Sequence, residues 1–182
     1  VLVSGGSPAV VCDAVRRGSS GAPGGTWNRD DTIVFHPGGS GPLQKIKTGS
    51  VRGHAVPVTT LSDGETAHRF PWFLPDGQHF LYMARRGSTN ELRVGSLASG
   101  PTASLGPYES HVVYAADHIF FVRGGNLMAR PFDATTRQPT GAALTLAALT
   151  GVDSPTGRGM FSVADTGTLA YSQTARIPSE LT

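Results

Sequence analysis

The sequence predicts an all-β fold of repeated four-stranded units, and three observations predict it. A strand–turn–strand pattern recurs four times at a spacing of about 45 residues. Further strand-like runs follow each of the first three recurrences. No segment carries a helical hydrophobic period or helix caps. Gly (24) and Pro (13) make up about a fifth of the 182 residues, which suits many short strands joined by tight turns.

The best copy of the pattern is Trp72 to Tyr82, where an apolar run enters Pro75-Asp76-Gly77 and leaves as Phe80-Leu81-Tyr82. Proline presets φ for the first central position of a turn, Asp suits the second, and Gly accepts positive φ. Equivalent turn aspartates are Asp30, Asp117 and Asp165, giving spacings of 46, 41 and 48 residues. An aromatic (Trp27, Phe73, Tyr114) stands three residues before the first three aspartates, and Phe161 stands four before the last.

Taken in order, residues 1–11 read as a third strand, a turn and a fourth strand. Third strands follow the hairpins at 43–47, 91–97 and 126–132, and fourth strands at 55–61, 101–105 and 142–147. Phe80-Leu81-Tyr82-Met83 and Ile119-Phe120-Phe121-Val122 are apolar at every position, as strands buried on both faces are. Four short strands per repeat with two-faced burial predict a β-propeller. The expected division is an outer half-blade at 1–13, blades at 24–62, 66–106 and 110–148, an inner half-blade at 158–172 and a polar tail at 173–182. About four blades' worth of chain is present, and it reads as part of a larger ring, the alternative being that the two half-blades pair and close a four-bladed one.

A net charge of +2, with basic residues scattered rather than clustered, argues against a nucleic-acid partner. The single cysteine, Cys12, excludes an intrachain disulfide and a cysteine-built zinc site. No apolar stretch is long enough to span a bilayer as a helix. Gly38-Gly39-Ser40-Gly41-Pro42 approaches a nucleophile elbow and fails at its last position, and no His-Glu-x-x-His or EF-hand pattern occurs. The expectation is therefore a chain without catalytic residues, cofactor or metal.

One constellation points to binding. Residues just before each first strand enter at the rim of a propeller's channel, and those positions hold Glu65, His68, Arg69, Glu109, His111 and Arg158. Convergent loops on a rigid scaffold are a usual place for binding residues. These six side chains either form a polar rim that contacts a protein, peptide or small ligand, or they are solvated or pair with neighbouring blades.

With these residues in view, the chain resembles the TolB-like six-bladed propellers built of WD-like repeats. The segments that carry the resemblance are 68–82, 25–30, 125–133 and 161–171. Together they look like the propeller region carried C-terminally by many bacterial serine/threonine protein kinases. The resemblance implies a protein-interaction or ligand-sensing module attached to such a kinase, on the extracytoplasmic side of a membrane-anchored parent. The alternative role is an accessory propeller that gates or orients substrate for a separate peptidase or hydrolase domain. Asp30 is followed by Asp31, and Asp117 by His118, where the family places Gly, so looser or different turns are expected there. No Gly-rich nucleotide loop, His-Arg-Asp or Asp-Phe-Gly occurs, so any kinase domain lies outside this chain.

Overall fold

The structure is a computed structural model and describes residues 11, 24–48, 54–98, 100, 102–148, 150–153 and 156–173. The expected half-blade at 1–13 and the tail at 173–182 lie almost wholly outside these residues. The described chain is all-β, and every strand pairing within its sheets is antiparallel.

The first sheet holds β1 (Gly25–Trp27), β2 (Thr32–Phe35), β3 (Gln44–Lys47) and β4 (Val56–Pro57) in sequential order. The second repeats that order with longer strands, β5 (Ala67–Phe73), β6 (His79–Arg86), β7 (Thr89–Ser96) and β8 (Ala103–Pro107). In the third, β9 (Val113–Ala115), β10 (His118–Arg123) and β11 (Asn126–Asp133) are joined by the short β12 (Gln138–Pro139) and by β13 (Leu144–Ala147). Both of these pair with β11, β12 at its far end and β13 across a register shift between Leu127 and Met128. A small hairpin unforeseen from the sequence, β14 (Val152–Asp153) with β15 (Arg158–Gly159), leads into the last pair, β16 (Phe161–Val163) and β17 (Leu169–Tyr171).

The hairpin turns follow their chemistry. In the second sheet the Gly77 amide donates to the Leu74 carbonyl at 2.9 Å, and Asp76 Oδ1 accepts from the Gln78 and His79 amides, both at 2.9 Å. Gly77 sits at φ 67° and Gly167 of the last hairpin at φ 85°, conformations that suit a residue without Cβ. Of the two positions where Gly was expected, Asp31 keeps left-handed backbone, whereas His118 begins β10 and the left-handed conformation falls on the two residues before it. Asp31 stands at φ 60°, and Asn28 Oδ1 accepts from the Asp30 and Thr32 amides. Ala116 and Asp117 both have positive φ, at 46° and 57°, so that two-residue loop is a type I′ turn whose twist matches the flanking strands.

Alternate residues of the inner strands feed opposite interfaces. From β6, Phe80, Tyr82 and Ala84 pack with Val34 and Leu43 of the first sheet, while Leu81 and Met83 pack with Tyr114, Ile119 and Phe121 of the third. From β10, Ile119 and Phe121 face the second sheet, whereas Phe120 and Val122 join Phe161 and Val163 of the last hairpin. This two-sided burial is the physical reason the two runs are apolar at every position. Polar ties reinforce the stack. The Asn28 side-chain amide donates to Gly77 O at 2.7 Å, Trp72 Nε1 to Tyr114 O at 2.8 Å, and the His111 amide to Gly157 O at 2.8 Å.

A close approach fixes one glycine. A Cβ on Gly95 would stand 2.7 Å from the fully buried Phe80 ring, so Gly95→Ala is expected to destabilise the fold by about 1–3 kcal/mol. Ala116→Gly is expected to stabilise it by about 1 kcal/mol, by relieving left-handed strain at a residue with a Cβ. Urea unfolding midpoints of the two variants check both signs.

Candidate functional site

The six residues singled out from the sequence separate into distinct environments. Glu65 precedes β5 and His68 lies within it, and both are drawn into a polar network between the first and second sheets. The Thr59 hydroxyl lies 2.7 Å from His68 Nδ1, and His68 Nε2 lies 3.1 Å from Glu65 Oε2. Thr59 Oγ1 also accepts from the Leu43 amide at 2.9 Å. The network is consistent with Thr59 O–H donating to Nδ1 and Nε2–H donating to the carboxylate. Arg93, on β7, bridges Glu65 Oε1 at 2.5 Å and Glu91 Oε2 at 2.7 Å, and the Ser104 hydroxyl donates to Glu91. Burial pushes the His68 imidazole below its ordinary range despite Glu65. Burial opposes ionisation of Glu65, but the Ser62 amide, His68 and Arg93 outweigh it and hold that carboxyl below its usual value.

Hydroxyl, imidazole and carboxylate in this order have the connectivity of an acyl-transfer triad. Access argues against that chemistry. Thr59 is 6% exposed and His68 is wholly buried, so no substrate carbonyl reaches the hydroxyl. The Thr59 oxygen is further committed to the Leu43 amide. Both His68 nitrogens are engaged as well. Among the described residues no three His, Cys, Asp or Glu side chains converge as a metal site requires.

His111 and Arg158 occupy a different place. Together with Phe70, Pro71, Trp72 and Phe161 they line a cavity of ≈ 180 Å³ against the inner strands. Phe70 has φ 51°, a strained value for an aromatic residue, where β5 bulges between Arg69 and Trp72. The bulge allows a proline inside the strand and packs the Phe70 ring 5.4 Å from that of His111. The His111 ring stacks on Phe161 at 4.7 Å and 25°, and its Nδ1 accepts the Gly159 amide at 2.9 Å. Burial, then the charge of Arg158, lower the imidazole to about 4, so it is neutral at pH 7. Arg158 itself is exposed and is presented by the β14–β15 hairpin.

The remaining two residues have local roles. Glu109 is exposed and accepts the Gly124 amide at 2.7 Å, closing the turn between β10 and β11. Arg69 is half-buried, with its Nε out of contact with solvent and unpartnered among the described residues. The structure thus joins Glu65 with His68, and His111 with Arg158, and does not join the two pairs. Sequence reasoning missed Thr59 and Arg93, which no motif marks. It also missed the Phe70 bulge, for which Pro71 inside a strand-like run was the available signal.

Four-stranded antiparallel sheets stacked by their faces, with their first strands side by side, define a β-propeller. The fold is shared with TolB from Acinetobacter baumannii, at 15% identity and a TM-score of 0.53, over 81% of this chain and 36% of that one. It is shared too with regucalcin, a calcium-binding protein from Agrobacterium tumefaciens strain C58, at 17% identity and a TM-score of 0.56. That match covers 82% of this chain and 52% of regucalcin, so the chain spans about half the length of one relative and about a third of the other. No protein-family model and no curated protein sequence matches the chain.

The lowered imidazoles give stability a direction with pH. His68 and His111 have folded-state values below the unfolded value near 6.5, so the unfolded chain binds more protons as pH falls. Their contribution is complete above about pH 6.5 and is lost on acidification, for His111 down to about pH 4. Unfolding free energies at pH 7.5 and pH 5 are expected to show this loss, and His111→Gln to reduce it by roughly 1–2 kcal/mol, a figure discounted for the ring's partial exposure.

Proposed function

We propose that this chain is a non-catalytic β-propeller segment that acts as an interaction or ligand-sensing module at the channel entrance. The observation that carries the reading is the convergence of Phe70, His111, Arg158 and Phe161, from separate elements, on one cavity of ≈ 180 Å³. Arg158 supplies an exposed guanidinium, and the neutral His111 and the aromatic rings supply apolar walls. That combination suits a small carboxylate with an apolar body, or a peptide terminus or acidic side chain of the same chemistry. The strained backbone at Phe70 supports the same place, since such residues cluster where a scaffold holds a binding geometry.

The likeness to kinase-borne propellers extends the proposal to context. In this reading the chain is part of a six-bladed ring attached to a bacterial serine/threonine kinase, and it presents its entrance to an extracytoplasmic ligand or partner protein. A kinase signature in the same reading frame is the expected outcome of sequencing the parent gene, whereas a nucleophile elbow there would favour the gating role beside a hydrolase.

The entrance is tested with a panel of aromatic and aliphatic carboxylates and their uncharged amides, read by ligand-observed NMR. Saturable binding of one or more carboxylates is expected, the amides binding more weakly, with about tenfold or greater loss in Arg158→Gln. Equal binding of acid and amide, or no effect of Arg158→Gln, would overturn the reading.

A further inference from the structure

At the opposite end of the inner strands, where the four hairpin turns gather, lies a second and larger concavity of ≈ 730 Å³. Its wall includes two tryptophans. Trp27 closes β1 and is 62% exposed, an unusual setting for the largest apolar side chain. Trp72 is fixed by its indole N–H, which donates to Tyr114 O at 2.8 Å. The same groove is lined by Asp117 and Asp165, with Asn28 and Arg29 beside them.

The two carboxylates are available to a ligand. Asp117 Oδ1 accepts the Tyr114 hydroxyl at 2.9 Å, while its second oxygen has no hydrogen bond among the described residues. Burial and the Asp117 carboxylate together push the Tyr114 hydroxyl up to about 12, so it remains a donor that orients Asp117. Asp165 is exposed, and its carboxylate has no partner among the described residues. Around them the inner turns carry Asp30, Asp31 and Asp76 against one arginine, Arg29, although the whole chain has a net charge of +2. Asp76 is already paired, at 2.5 Å from His79 Nδ1. Acidic side chains therefore outnumber basic ones at this turn side.

We infer that this turn-side groove is a binding site for a basic peptide segment. A lysine or arginine side chain lies across the exposed Trp27 face, with its cation against Asp117 and Asp165. Two features select that occupant. Indole is the strongest aromatic partner for a cation, and carboxylates without a cationic partner among the described residues favour a positive group over a neutral one. The volume is that of a site for a short segment rather than for one side chain. The groove meets the entrance cavity at Gly25 and Trp72, but Arg158 does not line it, so Arg158→Gln leaves it unchanged.

The test uses the chain as it stands and fluorescein-labelled peptides that alternate glycine with arginine or lysine, alongside versions carrying glutamine or glutamate instead. Anisotropy titration is expected to show saturable binding of the basic peptides alone, weakening as salt rises. Asp117→Asn/Asp165→Asn is expected to weaken it by about tenfold, and Trp27→Ala by a similar factor. Asn at 117 still accepts the Tyr114 hydroxyl and tolerates positive φ, so the double variant keeps the turn, and unchanged unfolding midpoints verify that. Equal binding of basic and neutral peptides, or indifference to the double variant, would sink the proposal. Binding of a neutral oligosaccharide that depends on Trp27 and not on the aspartates would replace it with a sugar platform.

Discussion

Side chains that alternate along β6 and β10 enter different interfaces, and the rest of the architecture depends on this two-sided burial. Phe80 and Tyr82 support the first sheet while Leu81 and Met83 support the third, so the second sheet is held by its neighbours on both faces. Fully burying such side chains is worth about 1.5–3 kcal/mol each, far more than any of the single hydrogen bonds between sheets. The packing admits little change of volume, as the close approach of Phe80 to Gly95 shows. It also keeps the first strands side by side, so their turns gather at one end and their approaches at the other.

Polar groups caught between the sheets behave differently from those at the channel ends. Burying His68, Glu65 and Arg93 carries a desolvation cost that their mutual hydrogen bonds offset, and a partly satisfied version of the network would be worse than an apolar one. Its connectivity, with Thr59 and Glu65 on either side of His68, looks like catalysis on paper and serves inter-sheet geometry in the fold. Access separates the two readings, because a nucleophile needs a path to substrate that Thr59 lacks.

The two ends of the inner strands differ in chemistry although one set of strands builds both. The entrance combines an arginine with aromatic walls and a neutral histidine, whereas the turn side combines tryptophans with carboxylates. A rigid scaffold can hold such opposite surfaces because neither is needed for its core. For the same reason the shared fold with TolB and regucalcin does not carry their functions across, and any binding would depend on these side chains.

The hairpins were legible in the sequence because their signals are local. Pro75-Asp76-Gly77 sets its own turn, and alternation or continuous apolarity marks a strand within a few residues. Asp31 and His118 were readable as departures from Gly, but which residues turn left-handed was not, since the flanking strands place that conformation on Asp31 in one hairpin and on Ala116 and Asp117 in the other. The candidate rim was only partly legible. His111 and Arg158 meet at one cavity, yet they are brought there by the unforeseen β14–β15 hairpin and the Phe70 bulge. Glu65 and His68 adjoin them in a sequence-level rim and not in space, because Thr59, just before them, and Arg93, on the far strand β7, draw them between sheets. Strand, turn and repeat were thus determined by the sequence alone, through short-range sterics and periodicity. Which polar groups are buried, which face the channel and which stand together was decided only by the stacking of sheets, a long-range packing problem that no local pattern encodes.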